Sequence, residues 1–420
     1  MTAAVCVDVG STYTKAARID LASGELTGRA EVPTTSATDV LAGLDAAVAA
    51  VGGSADQLYV CSSAGGGLRL AVVGYESLVT AEAGHRVGLS AGAQVVHVAA
   101  GPLTGAAVAS LRAARPDVIL LVGGTDGGDS SVLLHNAGRL ATSRLRVPVV
   151  VAGNASARSD AADLLTGRGI AVTVTANVLP KIGVLDPGPA RAAIRAVFLT
   201  HVIGGKKLSR GRRFASLVRA ATPDAVLAGV ELLADLTGAG VLVVDVGGAT
   251  TDVYSALLPD AEAENGPQRD VAGTLWRSRT VEGDLGVAVG AGGTVAAATV
   301  EKLALSTIEN GPSAERDRDL AAAAATIALR RHARGHSPGP GRPRTGGRDL
   351  RDVRLVVGSG GVLRHGGGGY VLNAVLGDTA GGWAAPATAR VVIDERYVLA
   401  AAGLLASDHP QAASALLNTL

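Results

Sequence analysis

Val241 to Tyr254 reads VLVVDVGGATTDVY, and the fold is decided there. Four apolar residues, mostly β-branched, predict a strand buried on both faces. The strand runs out at Asp245, and Gly247 and Gly248 let the backbone turn sharply and approach a ligand. Ala249 leads to Thr250, Thr251 and Asp252, which add hydroxyls and a carboxylate. A carboxylate at a strand end beside amide-rich backbone suits a hydrated divalent metal on a phosphate chain.

A similar piece opens the chain. Val5 to Lys15 reads VCVDVGSTYTK, again a strand running into Asp8, Gly10 and the hydroxyls of Ser11 and Thr12. Two such turns, about 240 residues apart, predict two similar halves facing one ligand. This pattern resembles the actin-like ATPase superfamily, whose two turns clamp the phosphates of ATP from opposite lobes. Val353 to Val357 is the third diagnostic strand, ending in Gly358-Ser359-Gly360-Gly361. In actin-like ATPases a glycine turn at this place brings backbone against adenine and ribose.

The rest of the chain fits that outline. Ala4–Val9, Lys15–Asp20 and Glu25–Val32 read as a three-strand meander, followed by a helix over Thr38–Val51 and a strand over Gln57–Ser62. From the Gly65-Gly66-Gly67 turn onward, strands and helices alternate, which predicts a parallel α/β insert at about 65–180. Its Gly123–Gly128 turn ends the strand Val118–Val122, where such sheets take ligands; a tight turn with no ligand is an equal alternative. Lys206, Lys207, Arg210, Arg212 and Arg213 form a basic patch, expected to be solvated surface. Val226–Leu236 reads as a helix leading to the strand at Val241. Glu262–Arg269 reads as a hairpin loop, Leu320–Arg334 as a helix, and His336–Arg348 as a mobile Pro/Gly/Arg loop. The expected fold class is therefore α/β: two ribonuclease H-like lobes with an insert in the N-terminal half. The lobes are expected at 1–236 and 237–406, with the mobile loop at 335–349 and a tail at 407–420.

Composition narrows the function. The 420 residues carry a formal net charge of +1 and 2% aromatics, which gives no electrostatic or stacking case for nucleic acid. The uncharged run Val87–Leu111 contains Pro102 and several polar residues, so no membrane span is expected, nor does a signal sequence precede the first strand. A cytoplasmic protein is the expectation, with Cys6 and Cys61 reduced and buried in strands. A P-loop, a Rossmann fingerprint after the first strand and zinc-type Cys/His spacing are all missing. The remaining chemistry is that of ATP and Mg²⁺. Asp8 and Asp245 would hold the metal through waters. Amides at Gly10, Ser11, Thr12, Gly248, Ala249 and Thr250 would cradle phosphate oxygens, Lys15 would neutralise them, and Asp245 or Asp252 would orient a water. Slow hydrolysis of this kind suits a switch.

Beyond the superfamily, the chain resembles the glutamate mutase-associated MutL proteins over nearly its whole length. The segments that carry the likeness are DVGSTYTKAARID, CSSAGGGLRLAVVG, LVGGTDGGD, VPVVVAGN, TANVLPKIGVLD, VVDVGGATTDVYS, RTVEGDLGVAVG and VVGSGGVLRH. Ala221–Val226 is a looser version of the family's stretch at that place. The resemblance implies an ATP-driven chaperone that reactivates an adenosylcobalamin-dependent mutase, with glutamate mutase as first client, by exchanging damaged cobalamin. The first turn is also similar to ATPase activators of 2-hydroxyacyl-CoA dehydratases, which hold an iron–sulfur cluster; two cysteines buried in strands do not suit that role. Two rivals are a sugar or acetate-type kinase on the same fold and a nucleotide-binding module without catalysis.

Overall fold

A computed structural model of the chain describes residues 2–53, 57–64, 68–76, 79–91, 93–203, 208–209, 211, 213–259, 276–305, 313–335, 347–386 and 388–420. The Gly65–Gly67 turn, Lys206, Lys207, Arg210 and Arg212 of the basic patch, the Glu262–Arg269 loop and residues 336–346 lie outside the described residues. The chain forms two compact units, one of Met1–Ala64, Leu208–Leu258 and Trp276–Leu420, the other chiefly Gly65–Lys207. The second unit thus extends past the expected boundary near residue 180.

The strands follow in chain order. β1 Ala3–Val9, β2 Tyr13–Asp20, β3 Leu26–Pro33 and β4 Leu58–Ser62 open the first unit. β5 Arg69–Gly74, β6 Gln94–Ala100, β7 Val118–Leu121, β8 Val149–Val151 and β9 Val172–Val174 build the second. β10 Val218–Ala221, β11 Gly240–Val246, β12 Thr251–Ala256, β13 Arg277–Glu282, β14 Val353–Ser359 and β15 Arg390–Ile393 return to the first.

The first unit has two sheets, ordered β10-β4-β1-β2-β3 and β13-β12-β11-β14-β15. In each, an antiparallel meander (β1–β2–β3, β11–β12–β13) is extended beyond its first strand by parallel neighbours. One topology written twice is the two-lobed actin-like fold. The alternation of side chains along a strand sets which face points where. Ala4 and Cys6 of β1 share one core with Val241 and Val243 of β11, Tyr254 of β12 and Val357 of β14. Asp8 continues the first of these rows and Asp245 the second, so both carboxylates fall on the faces turned toward that common core.

Helices Thr222–Thr237 and Val398–Leu405 fill the space between the sheets and cross each other closely. A Cβ at Gly229 would lie 2.2 Å from Leu399 O, and one at Gly403 would lie 1.8 Å from Ala225 O. Only glycine lets the two backbones meet there. The outer face of the second sheet is covered by the Ala-rich helix Ala314–Arg334, which starts six residues before the expected Leu320. Ser313 accepts the amide of Arg316 as its cap, and acids in the first turn with Arg331, His332 and Arg334 in the last suit its dipole.

Two expectations are corrected here. The residues after Ser407 are not a tail: Pro410–Leu417 is a helix whose Ala413, Leu416 and Leu417 join the shared core. Arg348, expected in the mobile loop, is anchored, its Nε donating to Ser278 Oγ at 2.6 Å and its amide to Ala333 O at 2.9 Å. Gly368–Leu376, for which the sequence carries no clear helix signal, is a helix with Val371, Leu372 and Val375 buried. Its glycine-rich start hid a four-residue apolar periodicity.

The second unit is a parallel sheet ordered β6-β5-β7-β8-β9, with helices in the crossovers. The run Val87–Leu111 divides among a helix end, β6 and the helix Gly105–Ala113, and no helix among the described residues is long and apolar enough to cross a membrane. The Gly123–Gly128 turn is tied down by its own unit. Asn154 Nδ2 donates to Gly128 O at 2.9 Å, and Asn177 Nδ2 donates to Gly124 O at 3.0 Å and to Asp126 Oδ1 at 2.9 Å. Those bonds are what a structural turn needs.

Candidate nucleotide site

The two Asp-bearing turns have the same construction. In the first, Gly10 N donates to Tyr13 O at 3.0 Å; in the second, Gly247 N donates to Thr250 O at 2.8 Å. Across the ladders, Asp8 faces Lys15 and Asp245 faces Asp252, the partners in each pair being seven positions apart along the chain. The amide of Gly10, expected to meet phosphate, is therefore spent on closing its turn, as is that of Gly247. Those of Ser11, Thr12, Gly248, Ala249 and Thr250 have no hydrogen-bond partner among the described residues. Adjacent unpaired amides on a tight turn make a cradle for anionic oxygens. Thr34 steadies the first turn, its hydroxyl donating to Gly10 O at 2.9 Å and its amide to Thr12 O at 2.9 Å. The RTVEGDLGVAVG segment steadies the second: Ala288 N and Gly290 N donate to Gly248 O at 2.8 and 3.1 Å.

Asp8 is buried, and three donors fix its carboxylate. The Thr222 hydroxyl donates to Oδ1, the Cys61 thiol reaches Oδ1 at 3.6 Å, and the Tyr397 hydroxyl donates to Oδ2 at 3.3 Å. Thr222 opens the interlobe helix and Tyr397 precedes the other, so Asp8 is wired to both. Burial pushes the thiols of Cys6 and Cys61 upward, which keeps them protonated donors. Lys15 Nζ stands 3.6 Å over the Tyr397 ring, and Arg364 lies 5.4 Å from that ring.

Asp245 is half-buried. Burial raises its pKa, Lys15 and the Ser359 hydroxyl lower it, and the charge of Asp8 raises it again. Tyr397 is raised far above its ordinary range by burial and then by the charges of Asp8 and Asp245. One phenol therefore feels the charge of both carboxylates. Asp252 is more deeply buried, and its pKa is pushed up to about 7, first by burial and then by the charge of Asp245. Tyr254 donates to its Oδ2 at 3.1 Å, while Oδ1 has no hydrogen-bond partner among the described residues.

Some expected ligand residues are redirected. Thr251 is fully buried and, by strand alternation, points away from the face that carries Asp252. Asp252 lies across the ladder from Asp245, whose charge contributes to its raised pKa. In the third turn Gly358, Ser359 and Gly360 are buried, and the Ser359 hydroxyl serves Asp245. Gly360 has φ +100°, and a Cβ there would lie 2.1 Å from Val246 O. Only Gly361 is open to a ligand. Tyr397, Thr222 and Arg364 were missed by sequence reasoning: Tyr397 and Thr222 lie far from the turns along the chain, and Arg364, inside the VVGSGGVLRH segment just after the third turn, has nothing local that marks it as facing Asp8 and Lys15.

These features define a protein of the actin-like ATPase fold with a paired-turn cleft. The MutL protein family model matches residues 4–420, so the chain belongs to the MutL family, the one its motifs resemble. Protein MutL of Clostridium tetanomorphum is 34% identical over 459 residues, covering 100% of this chain and 99% of that protein. Among solved structures, a ROK family glucokinase from Streptomyces griseus in complex with glucose and AMPPNP aligns at TM-score 0.34 and 12% identity, covering 99% of this chain and 98% of that one. A nucleotide-free acetone carboxylase aligns at TM-score 0.33 and 16% identity, over 68% of this chain and 49% of the carboxylase chain, about half its length.

Proposed function

We propose that this protein binds and slowly hydrolyses Mg-ATP and uses the cycle to reactivate an adenosylcobalamin-dependent mutase, with glutamate mutase as first client. The observation that supports this best is the pair of equivalent turns, each with unpaired amides beside a strand-end aspartate on the shared-core face. Membership of the MutL family points the same way. Among the described residues no group of three or more His, Cys, Asp or Glu converges, so the site offers too few ligands for an all-protein cage. Two aspartates fit a hydrated Mg²⁺, which keeps most of its own waters and binds phosphate oxygens. When bound, that ion would neutralise charge on the phosphate chain.

The protein's own residues do the rest. Amides of Ser11, Thr12, Gly248, Ala249 and Thr250 hold phosphate oxygens, and Lys15 offsets charge developing on them. Asp245, which is only half-buried, orients the attacking water. Tyr397 links Asp8 to the helix Val398–Leu405, whose first amides are held by Asp394 at 2.9 and 3.2 Å. A change at Asp8 thus reaches an interlobe helix, which is what a nucleotide switch needs.

The test mixes inactivated glutamate mutase with the full-length protein, Mg-ATP and fresh adenosylcobalamin. Recovered mutase activity that requires ATP supports the reading. No recovery with glutamate mutase or any other cobalamin mutase from the same source would count against it, and phosphate transfer to a small hydroxylated metabolite would favour a kinase.

A further inference from the structure

Asp8 and Lys15 also line a pocket that opens to solvent. The register places Asp8, Lys15 and Glu31 in one row across β1, β2 and β3. Lys15, Arg29, Arg364 and Arg396 line the pocket against only two carboxylates, Asp8 and Glu31. Ser11, Thr12 and Gly248 are not part of its wall.

Arg364 is the telling member. Its side chain is 3% exposed, and Nε and Nη2 have no hydrogen-bond partner among the described residues. Glu31 Oε2 stands 3.5 Å from Nη2, close enough for charge but not for a hydrogen bond. Burying guanidinium N–H groups without acceptors is costly. A planar oxyanion removes that cost because two of its oxygens match the guanidinium fork. Ala401 and Leu404 form an apolar wall opposite, which suits a ligand with a short carbon body.

We propose that this pocket, which shares Asp8 and Lys15 with the nucleotide cleft but none of its turn amides, is an additional anion site in which Arg364 with Lys15 and Arg396 takes the carboxylate or phosphate group of a small molecule. It stands on the pocket's geometry and is measured without nucleotide or mutase, so its failure is separate from failure of the chaperone reading.

The test is calorimetric titration of the full-length protein, free of nucleotide and at constant ionic strength, with sodium succinate and with sodium phosphate. One equivalent of at least one anion is expected to bind, at least tenfold more weakly to R364M and several-fold more weakly to R396M. Gly248→Val, which alters the second turn, should leave that affinity unchanged. Binding of succinate alone identifies a carboxylate ligand and of phosphate alone a phosphate ligand; either upholds the site. Should R364M fail to fold, R364K and R396M carry the comparison. Absence of saturable binding, binding indifferent to Arg364 and Arg396, or binding abolished equally by Gly248→Val would overturn the proposal.

Discussion

Asp252 lies directly across the β11–β12 ladder from Asp245, and the two carboxyl groups share one face of the sheet. Asp252, the more buried of the two, has its pKa pushed up to about 7, first by burial and then by the charge of Asp245.

The pH dependence of stability follows from that pairing. A carboxyl whose folded pKa is raised binds more protons in the native than in the unfolded state between about 4 and 7. Its contribution is therefore fully present below the unfolded pKa and is lost as pH rises through about 7. Asp252→Asn should remove this fall. Denaturant unfolding at pH 5 and pH 8 should show the variant gaining on the wild type by on the order of 3 kcal/mol at the higher pH. Parallel curves for the two proteins would contradict the assignment.

Asp8→Asn and Asp245→Asn should each weaken Mg-nucleotide binding by at least about tenfold, a loss of roughly 1.4 kcal/mol or more. Both changes keep the shape of the side chain. Fluorescent-nucleotide titration with and without Mg²⁺ checks this, and unaltered affinity in both variants refutes the cleft as the metal-nucleotide site.

Gly360 and Gly361 of the third turn should behave oppositely. Gly360→Ala forces a side chain into left-handed backbone against Val246 O, and a loss above about 2 kcal/mol is expected. A Cβ at Gly361 meets nothing within 4 Å, so Gly361→Ala should stay within about 0.5 kcal/mol of the wild type. Thermal melts of the pair decide it.

Arg330 is buried and grips Asp378 with two hydrogen bonds, of 2.8 and 2.7 Å, and Glu301 with a third at 2.9 Å. Arg330→Met strands a buried carboxylate, and a cost of about 3–5 kcal/mol is expected. The double variant Arg330→Met/Asp378→Leu should recover part of that loss. A double variant no more stable than the single one would show that the pair is not the cause.

Much of this architecture was legible in one dimension. Strand periodicity and glycine punctuation located β1, β11 and β14 because a strand buried on both faces needs a continuous apolar run. The cap of the first helix was legible only to within two residues, Thr38 or Asp39, and the fold settles it on Asp39, which accepts the amide of Leu41 at 2.9 Å. The C-terminal helix was hidden by its short length, and the helix Gly368–Leu376 by glycines that lower helix propensity without preventing helix formation in a packed setting.

The residues of the chain dictated by themselves that two strand ends would carry aspartates on glycine turns, because period, turn chemistry and side-chain type are local properties. Which groups of those turns remain open was decided only by tertiary structure. Gly10 and Gly247 spend their amides on closure, Ser359 turns its hydroxyl to Asp245, and Thr222 and Tyr397 arrive from distant parts of the chain to fix Asp8. Hydrogen bonds and burial depend on neighbours in space, and no spacing along the chain encodes those contacts.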